Sequence, residues 1–151
     1  MTRFADLVRL PDWEARLNAF LADRAGVVFG YNHAQDPERY DCCAFGGGAV
    51  IALTGVDPMP EFRGRYFTRI GAARALRRYG AGTIAATLDD KFPARSPAFA
   101  RRGDLVLIAG ELGGLLGVCV GADAVFVGEE GGAPGLVRFG RADWIRCWGI
   151  G

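Results

Sequence analysis

Apolar residues follow a helical spacing in the first part of the chain and form short runs between glycines in the last part. Between residues 11 and 24, four large apolar side chains fall at i, i+4, i+7 and i+8, which is one face of a helix: Trp13, Leu17, Phe20 and Leu21. Pro11 is expected in the first turn of this helix, and Gly26 stops it. An extended apolar stretch (residues 27–31) and a polar loop (residues 32–40) follow.

A second helix is predicted over residues 42–54, because Asp41 is a good N-cap residue and Gly55 is a good C-terminal stop. This helix contains three consecutive glycines, at positions 46, 47 and 48. Each glycine costs about 1 kcal/mol relative to alanine inside a helix. The sequence therefore predicts either that neighbouring elements pack too closely there for side chains, or that the helix is irregular.

Two more helices are predicted before the pattern changes. Thr68 is expected to cap a helix that extends through Tyr79 and ends at Gly80. Three of its residues are predicted to face inward: Ile70, Ala73 and Leu76. A shorter helix is predicted over residues 84–91, and two prolines interrupt the chain after it.

After Gly103 the apolar residues form short β-type runs separated by glycine-rich turns. The runs cover residues 105–108, 115–120, 124–127 and 136–139, and a last short helix is expected around residues 142–144. Helices first and strands second predict an α+β fold in one domain over residues 1–151. The helical part (about 1–100) would pack on a C-terminal antiparallel β-sheet or partial barrel (about 103–151).

Composition narrows the classes of function. A formal net charge of +1 over 151 residues gives no broad basic field, so we expect no nucleic-acid partner. No run approaches the ~18 apolar residues of a membrane span, and Asp6 lies where a signal peptide would begin its apolar core. We therefore expect synthesis in the cytoplasm and no membrane span. Several arginines form either a cationic face for an acidic partner or an ordinary solvated surface: Arg63, Arg65, Arg74, Arg77 and Arg78.

The cysteines and the single histidine limit the chemistry. Four cysteines are present, none in a C-x-x-C spacing: Cys42, Cys43, Cys119 and Cys147. With only His33 to complete a site, we expect no metal and no cofactor. Disulfides are also not expected in a cytosolic chain of this size.

The pair Asp41-Cys42 at the start of a predicted helix is the strongest chemical feature. A thiol at a helix N-terminus lies beside free backbone N–H groups and the positive end of the helix dipole, which favour the nucleophilic thiolate. A helix of this kind, packed against a sheet that supplies a histidine base, is the papain-like arrangement. The alternative is that Cys42 and Cys43 are buried helix residues and that Asp41 is only a cap.

Short motifs in this order resemble the NlpC-like branch of papain-fold cell-wall hydrolases: residues 40–45 (Tyr-Asp-Cys-Cys-Ala-Phe), a helix, and residues 102–106 (Arg-Gly-Asp-Leu-Val). More closely, residues 9 to 150 resemble a small uncharacterised family encoded among the tail genes of tailed phages and prophages. Further motifs that carry this second resemblance are residues 54–57, 63–66 and 117–121.

The resemblance implies a papain-like (NlpC-type) fold with Cys42 at the nucleophile position. It does not supply the base, because Leu115 stands where NlpC-like enzymes have a histidine at the start of a strand. His33, in the loop nine residues before Cys42, is the candidate substitute, and otherwise it is a solvent-exposed loop residue. Asp41 and Tyr31 are expected to line the cleft as binding residues.

Three functions remain open at this point. The first is a structural or assembly component of a phage tail tip (baseplate), a degenerate module docked to the tail hub or the distal tail protein and located in the virion. The second is an active thiol hydrolase, a peptidoglycan endopeptidase or amidase that acts during genome delivery through Cys42. The third is a cleft that binds wall peptides or another ligand without turnover. The apolar C-terminal residues 147–151 are either core or a docking segment.

Overall fold

The computed structural model describes residues 3–151. Within this range four α-helices cover Trp13–Ala22 (α1), Cys42–Thr54 (α2), Arg69–Tyr79 (α3) and Ile84–Lys91 (α4). Single 3₁₀ turns cover Pro60–Phe62, Pro97–Phe99, Glu111–Gly113 and Arg141–Asp143. Among the helices of residues 3–151, none combines the length and the apolar character that crossing a bilayer requires.

Eight strands are present in the described range: Val28–Phe29 (β1), Arg39–Tyr40 (β2), Ala94–Arg95 (β3), Leu105–Ile108 (β4), Leu115–Cys119 (β5), Asp123–Glu130 (β6), Ala133–Gly140 (β7) and Arg146–Trp148 (β8). Six of them form one antiparallel sheet in the order β3-β8-β4-β5-β6-β7. The short strands β1 and β2 pair in parallel beside it. The prediction of an α+β single domain with a C-terminal antiparallel sheet is confirmed.

Residues flanking α2 determine where it begins and ends. The side chain of Asp41 accepts hydrogen bonds from the N–H groups of Cys43 and Ala44, so the helix begins at Cys42. Gly55 adopts the left-handed conformation (φ 76°) and its N–H donates to the carbonyl of Ile51, which ends the helix. Both predicted boundaries of this helix are confirmed.

The three consecutive glycines of α2 are helical, and each lies against a different neighbour. A Cβ at Gly46 would come 2.8 Å from Leu116 of β5, and one at Gly48 would come 2.7 Å from the ring of Phe20 of α1. A Cβ at Gly47 would come 2.8 Å from the sulfur of Met59. The close packing predicted from the sequence is therefore present on three sides of a regular helix.

The central sheet is buried on both faces, because successive side chains of a strand point to opposite sides. Leu105 and Leu107 belong to the larger core beneath the helices, whereas Val106 and Ile108 belong to a smaller core on the other face. Trp148 and Ile150 are fully buried in the larger core. The apolar C-terminal residues are therefore core, and they do not supply a free docking segment.

Asp104 connects the two ends of the chain at the start of β4. Its carboxylate is fully buried, accepts hydrogen bonds from the backbone N–H groups of Arg101 (2.8 Å) and Ile150 (3.1 Å), and pairs with Arg9 at 3.3 Å. The guanidinium of Arg9 also donates to the carbonyls of Ile150 and Arg102, both at 2.7 Å.

Two details of the predicted helices are wrong. Helix α1 begins at Trp13, so Pro11 lies in a turn before it rather than in its first turn. In α3 the buried residues are Ala72, Ala75 and Leu76, whereas Ile70 is 63% exposed. Two residues span about 200° around a helix, so Ile70 lies almost opposite Ala72. Leu76 is buried as predicted, but two alanines complete the buried face, and Ile70 lies in solvent.

Candidate functional site

The N-terminus of α2 presents three adjacent residues to one cavity: Asp41, Cys42 and Cys43. Oδ1 of Asp41 accepts from the backbone N–H groups of Cys43 and Ala44, both at 2.9 Å, and Oδ2 accepts from the hydroxyl of Tyr66 at 2.8 Å. Burial raises the pKa of Asp41, and these three hydrogen bonds oppose the shift. Both oxygens of this carboxylate are therefore already occupied within the protein.

The two adjacent cysteines differ in their surroundings. Cys42, the first residue of α2, is 8% exposed and lies at the positive end of the helix macrodipole. The side-chain hydrogen bond from Cys43 to Cys42 raises the pKa of Cys43 well above its ordinary value, and burial adds to the shift. Cys43 therefore keeps its proton, and Cys42 is the candidate nucleophile because of its position at the start of α2 on the cavity wall.

The cavity has a volume of about 340 Å³ and lies between α2, α3, α4 and the β4–β5 hairpin. Its size is at the lower end of the range for small-molecule pockets. Most of its wall is apolar: Met59, Phe62, Leu76, Ile84, Leu88, Phe92, Leu105 and Leu116. The cysteines therefore open into a site with few polar groups.

Leu115 lines this cavity together with Cys42. It is the first residue of β5 and pairs with Ile108 of β4. The resemblance to NlpC-like enzymes predicts a histidine at this position, the first residue of the strand. No imidazole lines the cavity among residues 3–151.

His33 lies in the loop between β1 and β2 and is not part of the cavity wall. Its Nδ1 is 2.8 Å from the carbonyl oxygen of Arg39, and a carbonyl only accepts, so Nδ1 carries the proton of this bond. The imidazole ring packs on the ring of Tyr40 with centroids 4.2 Å apart. The predicted pair of Cys42 and His33 is therefore not brought together in the cavity, and a catalytic role for His33 stays a prediction.

Tyr31 lines the cavity beside Asp41 and Cys42, so these three sequence-predicted residues do share one site. Burial raises the pKa of Tyr31, and the neighbouring Cys42 and Asp41 raise it further. Its ring is held edge-on against Phe29, with centroids 5.1 Å apart. The hydroxyl is thus a neutral hydrogen-bonding group near the sulfur of the candidate nucleophile.

Tyr66 was not predicted as a site residue. Its hydroxyl donates to Asp41, and burial together with that carboxylate raises the pKa of Tyr66 far above its usual value. It therefore cannot act as a base. No helical or strand period relates position 66 to position 41, so only the tertiary structure could show this contact.

Lys91 and Glu61 form a second polar feature of the cavity that sequence reasoning missed. Lys91 lines the cavity, is 2% exposed, and its ammonium group pairs with the carboxylate of Glu61. The ammonium nitrogen also lies 5.6 Å and 6.0 Å from the ring centroids of Phe4 and Phe62. Position 91 is the only lysine among many arginines, which was the one available sign of an unusual role.

Within residues 3–151, no three potential ligands among His, Cys, Asp and Glu lie together as a metal site would need. The polar side chains of Asp41 and Tyr66, which line the cavity near the cysteines, instead form a hydrogen bond with each other. The arrangement offers a sulfur, a phenol and an apolar cavity.

Known proteins provide a comparison for this fold and site. A family model described as "Domain of unknown function (DUF6950)" matches residues 8–150. The chain belongs to this family. No curated protein matches it.

A solved structure of similar fold is the crystal structure of the NlpC/p60 domain of the peptidoglycan hydrolase SagA. The superposition has a TM-score of 0.55 at 15% sequence identity, and it covers 90% of this chain and 97% of that domain. At this identity the similarity shows the fold alone. The predicted papain-like, NlpC-type fold of this DUF6950 chain is therefore confirmed.

Proposed function

We propose that this chain is a component of a phage tail tip (baseplate), a peptidase-like module without hydrolytic turnover that docks to the tail hub or the distal tail protein. The proposed absence of turnover is supported by the residues that line the cavity beside Cys42. Leu115 lies at the strand start where a base is expected, and no imidazole of the described residues lines that cavity.

The neighbouring polar groups do not replace a base. Asp41 accepts three hydrogen bonds, and one of them comes from the hydroxyl of Tyr66, which therefore keeps its proton. Loss of a catalytic-triad member typically costs on the order of 10³ to 10⁶ in rate. A chain with this arrangement would hydrolyse wall peptides at a small fraction of the rate of a complete enzyme.

The tail location is supported by the resemblance of the ordered sequence motifs to a family encoded among phage tail genes. The structure adds exposed apolar side chains for a protein contact. At the start of α3, Ile70 is 63% exposed and the preceding Phe67 is 44% exposed. These two exposed apolar residues, three positions apart in the chain, are the surface that we propose for the contact.

The test of docking is co-elution of the purified chain with the purified tail hub and with the purified distal tail protein in size-exclusion chromatography. We expect one of these mixtures to form a complex and Ile70→Arg to weaken it. The matched control is Ile145→Arg, the same substitution at another exposed isoleucine (53% exposed) that lies outside α3. Failure of both mixtures to form a complex would contradict the docking proposal.

The second candidate is a thiol hydrolase, favoured by the position of Cys42 at a helix N-terminus that opens into a cavity. Its test is product analysis of purified muropeptides after long incubation with the wild type, Cys42→Ala and His33→Ala. Cleavage that disappears in both variants would establish an enzyme that uses His33 from outside the cavity wall. Absence of cleavage in the wild type, with the fold confirmed by circular dichroism, would support the module without turnover.

A further inference from the structure

Most polar side chains that line the cavity are already paired within the protein. The carboxylate of Asp41 has three donors, and Tyr66 is one of them. The hydroxyl of Thr87 donates to the carbonyl of Thr83 and accepts from the N–H of Ala81, and Lys91 pairs with Glu61. These groups are therefore not available along most of the cavity to receive a polar ligand.

The cavity has a closed end and an open end. Lys91, Phe92 and Leu105 line it and are at most 2% exposed, so this end is enclosed by protein. Gly110 and Glu111, in the β4–β5 hairpin, are exposed residues of the same lining, and Tyr31 beside them is partly exposed. An occupant therefore enters near Tyr31 and Cys42 and extends inward along α2.

A peptide fits this cavity poorly. Every residue of a bound peptide brings an N–H and a carbonyl group, and burying them without partners costs free energy at each residue. The stem peptides of a cell wall also carry charged carboxylates. Transferring these charges from water into an apolar cavity costs free energy. An aliphatic chain has no such groups, and it gains from leaving water.

We propose that the cavity binds one aliphatic chain of a small amphiphile, with the chain along α2 toward Phe92 and the polar head at the opening beside Tyr31 and Cys42. The polar groups near the opening are the hydroxyl of Tyr31, the sulfur of Cys42 and the exposed carboxylate of Glu111, which pairs with Arg69 at 3.0 Å. This binding requires no bond to Cys42 and no hydrolytic turnover. It therefore holds or fails independently of the tail docking, whereas binding of a wall peptide in the same cavity would favour the thiol hydrolase instead.

The test is a fluorescence titration of the full chain with N-dodecyl dansylamide, whose dodecyl chain is free to enter the cavity while its dansyl head stays at the opening. Unlabelled dodecan-1-ol and dodecanoate then compete with the bound probe, which distinguishes a neutral head from an anionic one. We expect saturable binding with a blue-shifted emission and displacement by at least one of the two. The dipeptide L-Ala-γ-D-Glu, a fragment of wall stems, should not displace the probe at a tenfold higher concentration.

Two substitutions in α3 make the test specific to the cavity. Ala72 lines it and Ala73 does not, so Ala72→Phe fills the space while Ala73→Phe is the matched control. We expect at least tenfold weaker probe binding in Ala72→Phe and less than a twofold change in Ala73→Phe. The smaller Ala72→Leu should give an intermediate loss and serves if Ala72→Phe does not fold. Absence of binding, equal affinities in the Ala72 and Ala73 variants, or displacement by the dipeptide would overturn the proposal.

Discussion

Replacing Tyr66 with phenylalanine removes one of the three hydrogen bonds to the buried carboxylate of Asp41. The ring remains, so the change affects the hydroxyl and leaves the shape of the site nearly unaltered. In wild type the hydroxyl donates to Oδ2, whereas the two backbone N–H groups donate to Oδ1. The variant therefore leaves Oδ2 without its partner inside the protein.

The expected cost follows from the charge and burial of the acceptor. A hydrogen bond to a charged group contributes about 1.5–3 kcal/mol to stability. Leaving a buried oxygen without a hydrogen-bond donor lowers stability by a similar amount. We expect Tyr66→Phe to lower the free energy of unfolding at pH 7 by about 1.5–3 kcal/mol. For a chain of this length, that corresponds to a decrease in Tm of about 4–10 °C.

The pH dependence has a defined sign. Because burial raises the folded-state pKa of Asp41, the folded chain binds this proton more tightly than the unfolded chain does. The contribution of Asp41 to stability is therefore greatest below the ordinary pKa of an aspartate and falls as pH rises through the raised one. Without the donor from Tyr66, the folded pKa rises further. The cost of Tyr66→Phe should thus be larger at pH 7 than at pH 3.

Urea unfolding of four proteins measures this interaction: wild type, Tyr66→Phe, Asp41→Asn and the double variant. Asparagine is also a good N-cap and keeps an oxygen for the helix N–H groups, but it has no charge. In the Asp41→Asn background, Tyr66→Phe should cost only about 0.5–1.5 kcal/mol, the range for a neutral hydrogen bond. Tyr79→Phe is a control for loss of a tyrosine hydroxyl. Equal costs of Tyr66→Phe in the two backgrounds would refute the reasoning.

Three further predictions concern packing, the buried ion pair and the thiols. Gly48→Ala should lower the free energy of unfolding by about 1–3 kcal/mol, because its Cβ would come 2.7 Å from the ring of Phe20; urea unfolding measures it. Asp104→Asn should cost about 3–5 kcal/mol in the same assay, because it removes the fully buried charge that pairs with Arg9 at 3.3 Å and with Arg95 at 3.4 Å. Burial raises the pKa of Cys147 to about 12, so native-state alkylation by iodoacetamide at pH 8 should label it far more slowly than Cys42.

Each of these predictions has an outcome that contradicts it. A gain of about 1 kcal/mol in Gly48→Ala would mean that helix propensity outweighs the close approach. For the ion pair, the control is Asp12→Asn in an exposed pair with Arg16, which should change stability by less than about 1 kcal/mol. A similar small change in Asp104→Asn would show that the buried pair contributes little. Equal labelling rates for the two thiols in folded protein would contradict the burial argument.

Local sequence patterns predicted most of the fold. The predicted capping residues Asp41 and Thr68 each accept a hydrogen bond from the first turn of a helix, and such contacts lie within a few positions of one another. Strand β4 covers the predicted residues. Ile70 shows the limit of periodicity, because in α3 several alanines and one leucine allow more than one choice of buried face.

The site was less predictable, because its contacts join residues far apart in the chain. Asp41, Cys42 and Tyr31 were expected together and do line one cavity. The partner of Asp41 is 25 positions away, and the partner of Lys91 is 30 positions away. No period of a helix or a strand spans such distances. Charge and polarity along the chain therefore could not show that the groups around the cysteines are already paired.

The geometry of α2 has a physical explanation that does not require catalysis. Asp41 caps the helix, and glycines at positions 46 and 48 allow β5 and α1 to pack against it closely. Substituting any of these residues would disturb the core whether or not Cys42 reacts. An Asp-Cys pair at a helix start therefore indicates the fold, whereas activity depends on which groups line the cavity with the sulfur. In this chain Leu115 lines that cavity and no imidazole of residues 3–151 does, which supports the proposed module without turnover.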